Sequence, residues 1–411
     1  MKQVSLLLTG VRLTKRGFLA ATIPSVSFLS WYAVVSVFVL QHIIGSSSEA
    51  YLIANAALNF SIAISLMVSG LFIDKFNRVH IIYVCSIVTS ILSSMLLITP
   101  STLLGLLLVF IAGIFFSMGH LAGFTYFWSL TVSWERGRTA GLIGLFSLPM
   151  TLFIVTIAEM FDFFAIIMLV VILGLMTLVI KLLNPENKAL LTTKKEDEER
   201  HPERKTIFLY SAPWILFSLV NATLARTIST NILQSVQTSF YMGLIVLQLG
   251  AAVLGALVGG IIADFFGRRV SLIFSLTLYG LGSALIGLTG LYEVLHVVYF
   301  TNGLNWGILW VIYIFVIWGD LANRKNCAKI YSIGLTIFYT VAGVAGLITS
   351  QTSQIPLIIS SLASCLLIFL SNIPLLLTSE LLIPDFRERI KMKLYMNVVK
   401  KIRRRSSRNQ G

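Results

Sequence analysis

Apolar residues run along this 411-residue chain in stretches that no Asp, Glu, Lys or Arg interrupts. These cover residues 17–48, 50–73, 79–134, 139–158, 163–180, 206–225, 227–263, 270–292, 294–319 and 330–379. A helix crossing the hydrocarbon of a bilayer needs about 20 mostly apolar residues, so most of these stretches make one crossing. Two are long enough for two. The first breaks at Thr99-Pro100-Ser101-Thr102 and the second at Ser350-Gln351-Thr352-Ser353-Gln354-Ile355-Pro356, polar turn sequences that each hold a helix-breaking proline. The pattern therefore predicts twelve spans. Runs such as Leu103 to Phe116 are apolar on every side rather than alternating, which excludes the pattern of a membrane β-barrel. The expected fold class is an all-α integral membrane protein with twelve transmembrane helices.

Composition agrees and adds orientation. Hydrophobic residues make up 57% of the chain and charged residues 12%, against about 25% charged in soluble domains. Of the 31 Lys and Arg, all but Arg226 fall in the two termini and in the connections that twelve crossings place on the same side. The positive-inside bias makes that side the cytoplasm, so the net charge of +14 records topology rather than nucleic-acid binding. The expected location is the cell membrane, multi-pass, with both termini cytoplasmic. The first span is too long, and lacks the small-residue cleavage site, for a removed signal peptide. Cys85, Cys327 and Cys365 suggest no disulfide framework. No cofactor or metal motif stands out, and a monomer is expected.

The sequence also repeats itself. Gly70-Leu71-Phe72-Ile73-Asp74-Lys75-Phe76-Asn77-Arg78 follows the second span, and Gly260-Ile261-Ile262-Ala263-Asp264-Phe265-Phe266-Gly267-Arg268-Arg269 follows the eighth, 190 residues later. The basic stretch Glu135-Arg136-Gly137-Arg138 after the fourth span recurs as Asn323-Arg324-Lys325-Asn326 after the tenth, with Arg136 and Arg324 188 apart. Recurrence at nearly one offset points to two six-helix halves related by an axis along the membrane normal. The expected organisation is a bundle at 1–183, a charged cytoplasmic linker at 184–206, a second bundle at 207–379 and a basic tail at 380–411.

With these two loops the chain resembles the major facilitator superfamily, whose signature is approximately G-x-L-A-D-x-x-G-R-[RK]. Gly260, Ala263, Asp264, Gly267, Arg268 and Arg269 match it; the first copy keeps Gly70, Asp74 and Arg78 but carries Phe72, Ile73 and Asn77 where Leu, Ala and Gly are usual. A tight turn between membrane helices calls for a residue tolerant of positive φ, so Gly267 is expected there and Asn77 is expected as its substitute. The resemblance implies that Asp74, Arg78, Asp264, Arg268 and Arg269 belong to an inner gate, with Arg136, Arg138 and Arg324 as candidate partners. The plainer reading makes the same residues topology anchors and turn formers.

Polar side chains at mid-membrane are costly and tend to face a cavity or one another. Counting along the helices puts Trp31, Tyr32, Asn59, His120, Asn221, Gln248, Asn302, Asn305 and Trp306 near the centre, which predicts an aromatic, amide-rich cavity. The amides could equally bridge helices, and His120 could relay protons, bind substrate or make one interhelical hydrogen bond. Arg226, farther out, has three readings: it binds an anionic group of a substrate, pairs with Glu159 or Asp162, or reaches the outer headgroups. No carboxylate falls near the centre of a span, so proton coupling through a central acid is not supported; Glu159 or His120 remain for that role.

Residues 380–408 carry ten basic side chains and an apolar stripe at Ile383, Phe386, Ile390, Leu394 and Val398. This pattern reads as a helix on the inner membrane surface against anionic headgroups, or as a disordered basic tail. The spans hold no HExxH, no intramembrane Asp pair and no nucleotide-binding glycine loop, which argues against an enzyme. The resemblance implies a secondary active transporter or facilitator of a small organic solute, with export as the expected direction and protons as a possible coupling ion. The alternative is a transporter-like sensor or scaffold.

Overall fold

The computed structural model of the chain describes residues 13–44, 48–98, 101–180, 203–235, 238–288, 292–352 and 356–381, without the side chains of 48, 224–239, 241–242, 287–288, 292–293 and 349–352. No strand occurs among them. The first half contains α1 (Lys15–Ile44), α2 (Ser48–Ser69), α3 (Arg78–Met95), α4 (Thr102–Leu130), α5 (Ser133–Glu159) and α6 (Phe163–Met176). The second contains α7 (Arg204–Ser235), α8 (Thr238–Phe266), α9 (Arg268–Leu288), α10 (Tyr292–Trp310, continued by Val311–Ile317 and Trp318–Leu321), α11 (Cys327–Thr352) and α12 (Leu357–Leu370). A short helix, Asn372–Leu377, follows α12. The first predicted break falls between α3 and α4, whereas α11 continues through Ser350–Thr352 of the second and α12 begins after Pro356. The linker residues 181–202 and the tail residues 382–411 lie outside the described residues, as does the side chain of Arg226.

Polar residues end the apolar rods where a helix terminus must satisfy its free N–H groups. Ser101 caps α4 by accepting from Leu104 N at 3.3 Å, Asp162 caps α6 through Ala165 N at 2.9 Å, and Thr14 caps α1 through Gly17 N at 3.1 Å. Large apolar side chains stay exposed around the outside: Ile64 is 65% exposed, Met67 68% and Leu103 80%. Such a surface is costly in water and costs nothing in hydrocarbon. Inside, hydroxyls rather than charges join helices within the first half: Ser27 donates to the Leu173 carbonyl, Thr177 to Ser86, and Ser90 to the Val171 carbonyl at 3.2 Å.

The halves meet along two related seams, α2 against α11 and α5 against α8. In the α5–α8 seam a Cβ on Gly137 would lie 2.5 Å from the Gly260 carbonyl oxygen, and one on Gly260 would run into that of Gly137. These two positions tolerate only hydrogen because backbone faces backbone.

Helices α1 and α10 contain π-helical stretches, Val35–Val39 and Val311–Ile317. Such widened turns mark places where a helix departs from its regular register, often at functional sites. The α10 stretch lines the cavity described next through Ile314 and Phe315, and the α1 stretch begins two residues after the lining residue Ala33.

Candidate functional site

Five side chains from four helices, Arg136 and Arg138 of α5, Asp264 of α8, Arg268 of α9 and Asp320 of α10, hold together the end of the bundle where the repeated loops lie. Asp264, at the end of α8, accepts from the backbone N–H of Gly137 at 3.0 Å and of Arg138 at 2.8 Å, in the second turn of α5. It also accepts from Arg138 Nε at 3.0 Å and Arg268 Nη1 at 2.7 Å. Asp320, at the end of α10, takes Arg268 Nε at 2.7 Å on one oxygen and pairs with Arg136 through the other. Arg268 further donates to the carbonyls of Ala263, at 2.6 Å, and Ser133. Arg136, Arg138, Asp264 and Arg268 are each at most 2% exposed. Ionised groups removed from water to this degree persist only when paired and hydrogen-bonded, and here each oxygen and guanidinium has partners. The negative Asp264 also sits at the positive end of the α5 dipole.

The corresponding corner, α2 against α11, repeats the backbone part. Asp74 accepts from Ala328 N at 2.8 Å in the first turn of α11; Ala328 follows Arg138 by the same 190 residues that relate Asp264 to Asp74. Arg78 reaches Asp74 at 3.5 Å, with both side chains more exposed than those of the first corner, 18% and 12%. Its guanidinium lies 5.7 Å from the centre of the Trp128 ring. Burial raises the Asp74 carboxyl above the usual carboxylate range, only partly offset by the Ala328 N–H and by Arg78.

Two expectations about this region need correction. Gly267 does adopt φ +109°, but Asn77 does not take a left-handed conformation. At φ −70° and ψ 115° it is the N-cap of α3, its side chain accepting from Val79 N at 3.0 Å and His80 N at 3.4 Å. Glycine has no side chain for that task, and the start of α9 is capped from elsewhere: Glu380, past α12, accepts from Arg268 N at 2.7 Å and Arg269 N at 3.1 Å. Arg269 points the same way, donating to the carbonyls of Thr378 and Leu376, both at 3.1 Å. Secondly, Arg136 and Arg138 lie within α5 rather than in a loop. Arg324 is exposed on the α10–α11 connection, and no ion pair of the cluster includes it. Gly70 lies at the end of α2, where a Cβ would meet the Ser332 side chain of α11.

Between the halves lies a cavity of about 680 Å³ with walls from both. Tyr32, His120 and Trp306 line it, as the sequence suggests. Trp31 does not; it is buried and stacks on Phe116 at 4.4 Å between ring centres. The amides are displaced too. Asn59 lies behind Tyr32, accepting its hydroxyl at 2.8 Å. Asn221 accepts from Tyr279 of α9 at 3.1 Å, Asn305 packs on Ser275 of α9, and Asn302 sits against Gly282 of the same helix. Gln248 is half-buried, and its backbone carbonyl lies against Gly303 of α10. The predicted amide-rich wall is thus an interhelical set, because an amide in lipid gains more from a neighbouring helix than from an apolar void.

What replaces it is aromatic. The lining includes nine Phe, Tyr and Trp side chains, and no Asp, Glu, Lys or Arg occurs among its described residues. His120 stacks on Phe116 at 5.5 Å and meets Phe28 and Phe124 edge-on at 5.4 and 4.7 Å.

Asp320 and Glu380 escape sequence reasoning. The first looks like the mere end of an apolar span, with Leu130 at the matching position of the other half, and the second opens what reads as a basic tail.

The chain matches the model of the Major Facilitator Superfamily over residues 21–347. No curated protein matches it by sequence. Among solved structures it is similar to the proton:xylose symporter XylE bound to 6-bromo-6-deoxy-D-glucose, at 12% identity over 88% of this chain and 95% of that one, with a TM-score of 0.70. It is also similar to the human organic anion transporter MFSD10 (TETRAN), at 12% identity, 88% and 99% coverage and a TM-score of 0.69. A bacterial homologue of the iron transporter ferroportin in an outward-facing state gives 13%, 89% and 99%, and 0.70. At these identities the structural likeness shows the twelve-helix fold of two pseudo-symmetric bundles. With four-fifths of its length matched by the family model, this multi-pass membrane protein belongs to the major facilitator superfamily.

Proposed function

We propose that the protein moves a small organic solute across the cell membrane by alternating access, the two bundles rocking about the central cavity. The observation that carries this is the pairing of a cavity shared by both halves with an Arg–Asp cluster that ties α5 to α8 and α10 and, among the described residues, occurs at one end of the molecule. That end holds the basic loops and is read as cytoplasmic, so the described conformation is the one closed to the cytoplasm. Asp74, Arg78, Asp264, Arg268, Arg136, Arg138 and Asp320 act as the inner gate, with Gly267 and Glu380 setting the geometry of Arg268. Export fits the cavity: a solute apolar enough to fill it also enters the bilayer unaided, so a protein is needed chiefly to expel it. His120 is the imidazole on the described cavity wall, and protons remain the coupling ion to test first.

Flux of a solute panel in proteoliposomes, with and without a pH gradient, tests the reading. At least one solute should move, and Asp264→Asn should slow or uncouple it. A panel in which nothing moves, with the variant indistinguishable from wild type, would favour a sensor or scaffold.

A further inference from the structure

We infer that the solute held in this cavity is flat, aromatic and uncharged, and carries a hydrogen-bonding group that meets His120. The inference deepens the transport reading, since it names the substrate class of the same site. Three observations carry it. The first is the wall chemistry: rings from α1 and α4 face rings from α10 and α11 across the space, among them Tyr32, Phe124, Trp306, Phe338 and Tyr339, and no formal charge is present among the described lining residues. A charged solute entering such a site loses its hydration and meets no described counter-charge, whereas an aromatic one gains offset-stacked or edge-to-face contacts on top of buried area.

The second observation is ring orientation. Trp306 and Trp310 lie nearly parallel, 19° apart with centres 6.3 Å apart, while Tyr339 stands edge-on to Tyr32 at 5.4 Å. The lining rings thus already meet one another in both the near-parallel and the edge-to-face arrangement, the two that a planar guest uses. The third is the polar complement. His120 is clamped by three phenylalanine rings, so its orientation is fixed, yet neither its ring nitrogens nor the Tyr339 hydroxyl makes a hydrogen bond to a described residue. Polar atoms held this rigidly at a cavity wall are complementary to a guest that supplies a partner. A volume of about 680 Å³ lies inside the range of about 300–1,000 Å³ typical of sites for drug-sized molecules.

The test uses the purified full chain in lipid nanodiscs, with empty nanodiscs as the blank, and two probes that share their rings. N-phenyl-1-naphthylamine is neutral and carries one N–H; 1-anilinonaphthalene-8-sulfonate adds a negative charge. Glucose serves as the polar neutral control. The neutral probe should bind saturably and at least about tenfold more tightly than its sulfonate, glucose should not compete, and Trp306→Leu and His120→Phe should each weaken it about fivefold or more. Thermal unfolding of both variants checks their integrity, and the second stands if the first misfolds. Equal or tighter binding of the sulfonate, competition by glucose, or indifference to both variants overturns the inference; the first of these would return Arg226 to the site as an anion contact. Binding without flux of any solute would instead sink the transport reading and leave the site assignment standing.

Discussion

The α5–α8 corner and the α2–α11 corner do the same thing with different amounts of charge. In each, the motif aspartate, Asp264 in the last turn of α8 and Asp74 in the short turn between α2 and α3, takes backbone N–H groups near the start of a helix from the other half: Asp264 from Gly137 and Arg138, Asp74 from Ala328. Side chains then diverge. The register that makes Ala328 the counterpart of Arg138 makes Leu130 the counterpart of Asp320, so Arg78 has a tryptophan face where Arg268 has a second carboxylate. A carboxylate at a helix N-terminus contributes about 0.3–1 kcal/mol, up to ~2 when partly buried. Removing one member of a buried ion set costs about 3–5 kcal/mol, because its partners are left charged and alone. The difference teaches that both corners capture a helix end while, among the described residues, only the α5–α8 corner adds a second carboxylate, so that the proposed gate is a latch there and a contact at the other corner.

The largest expected effect therefore belongs to Asp264→Ala. Spin labels at His80 and Phe266, exposed positions in opposite halves, should report a shift towards longer distances on the order of 100-fold in the open-to-closed ratio, with the three cysteines replaced by alanine. Asp74→Ala should give about tenfold or less. Equal shifts would abolish the latch-and-contact distinction. Next in size comes Gly260→Ala against Gly70→Ala, also 190 residues apart. The first forces a methyl group into the Gly137 backbone, the second into the Ser332 side chain. Overpacking costs about 1–3 kcal/mol, and the backbone clash should lower the unfolding temperature more; the reverse order would mean that the seams are not packed as described.

Smaller still are the caps. Losing a helix cap costs about 1 kcal/mol, so Asn77→Ala and Glu380→Ala should lower thermal stability similarly. Only Glu380→Ala should also loosen the spin-label distance, since Arg268 serves both its cap and the latch. Smallest is the pH response of Asp74. Its carboxyl is raised in the closed arrangement, which therefore binds protons more readily than an open one with Asp74 in water. Closing is favoured as pH falls, and that gain is lost as pH rises through the raised value. Spin-label distances between about pH 4 and 7 should show the closed share growing on acidification, and Asp74→Asn should flatten the response. Opening on acidification would reverse the assigned sign.

The helices were legible because lipid imposes the strictest pattern in protein sequence: length, freedom from charge, and polar breaks. The motif loops were legible because duplication prints them twice. Gly267 at positive φ followed from its neighbours, whereas Asn77 did not, since Asn can either adopt that conformation or cap a helix, and here the N–H groups of α3 decided. The amides Asn221, Asn302 and Asn305 were readable for depth and not for direction, because direction depends on which neighbouring helix comes close. Asp320 and Glu380 stood outside the motif, and only the folded chain brings them to Arg268. Arg226 stays a sequence-level candidate, its side chain being outside the described residues.

The π-helical stretch of α10 lies between the cavity wall at Trp306 and Trp310 and the latch at Asp320. An ordinary helix advances about 100° per residue; a π turn holds more residues and advances each by less. A wheel drawn through α10 at constant pitch consequently misplaces Asp320 relative to the tryptophans. For anyone redesigning this protein, the number of residues between Trp310 and Asp320 is as firm a requirement as the carboxylate itself, since a one-residue deletion there would turn the acid away from Arg136 and Arg268 without touching any polar side chain.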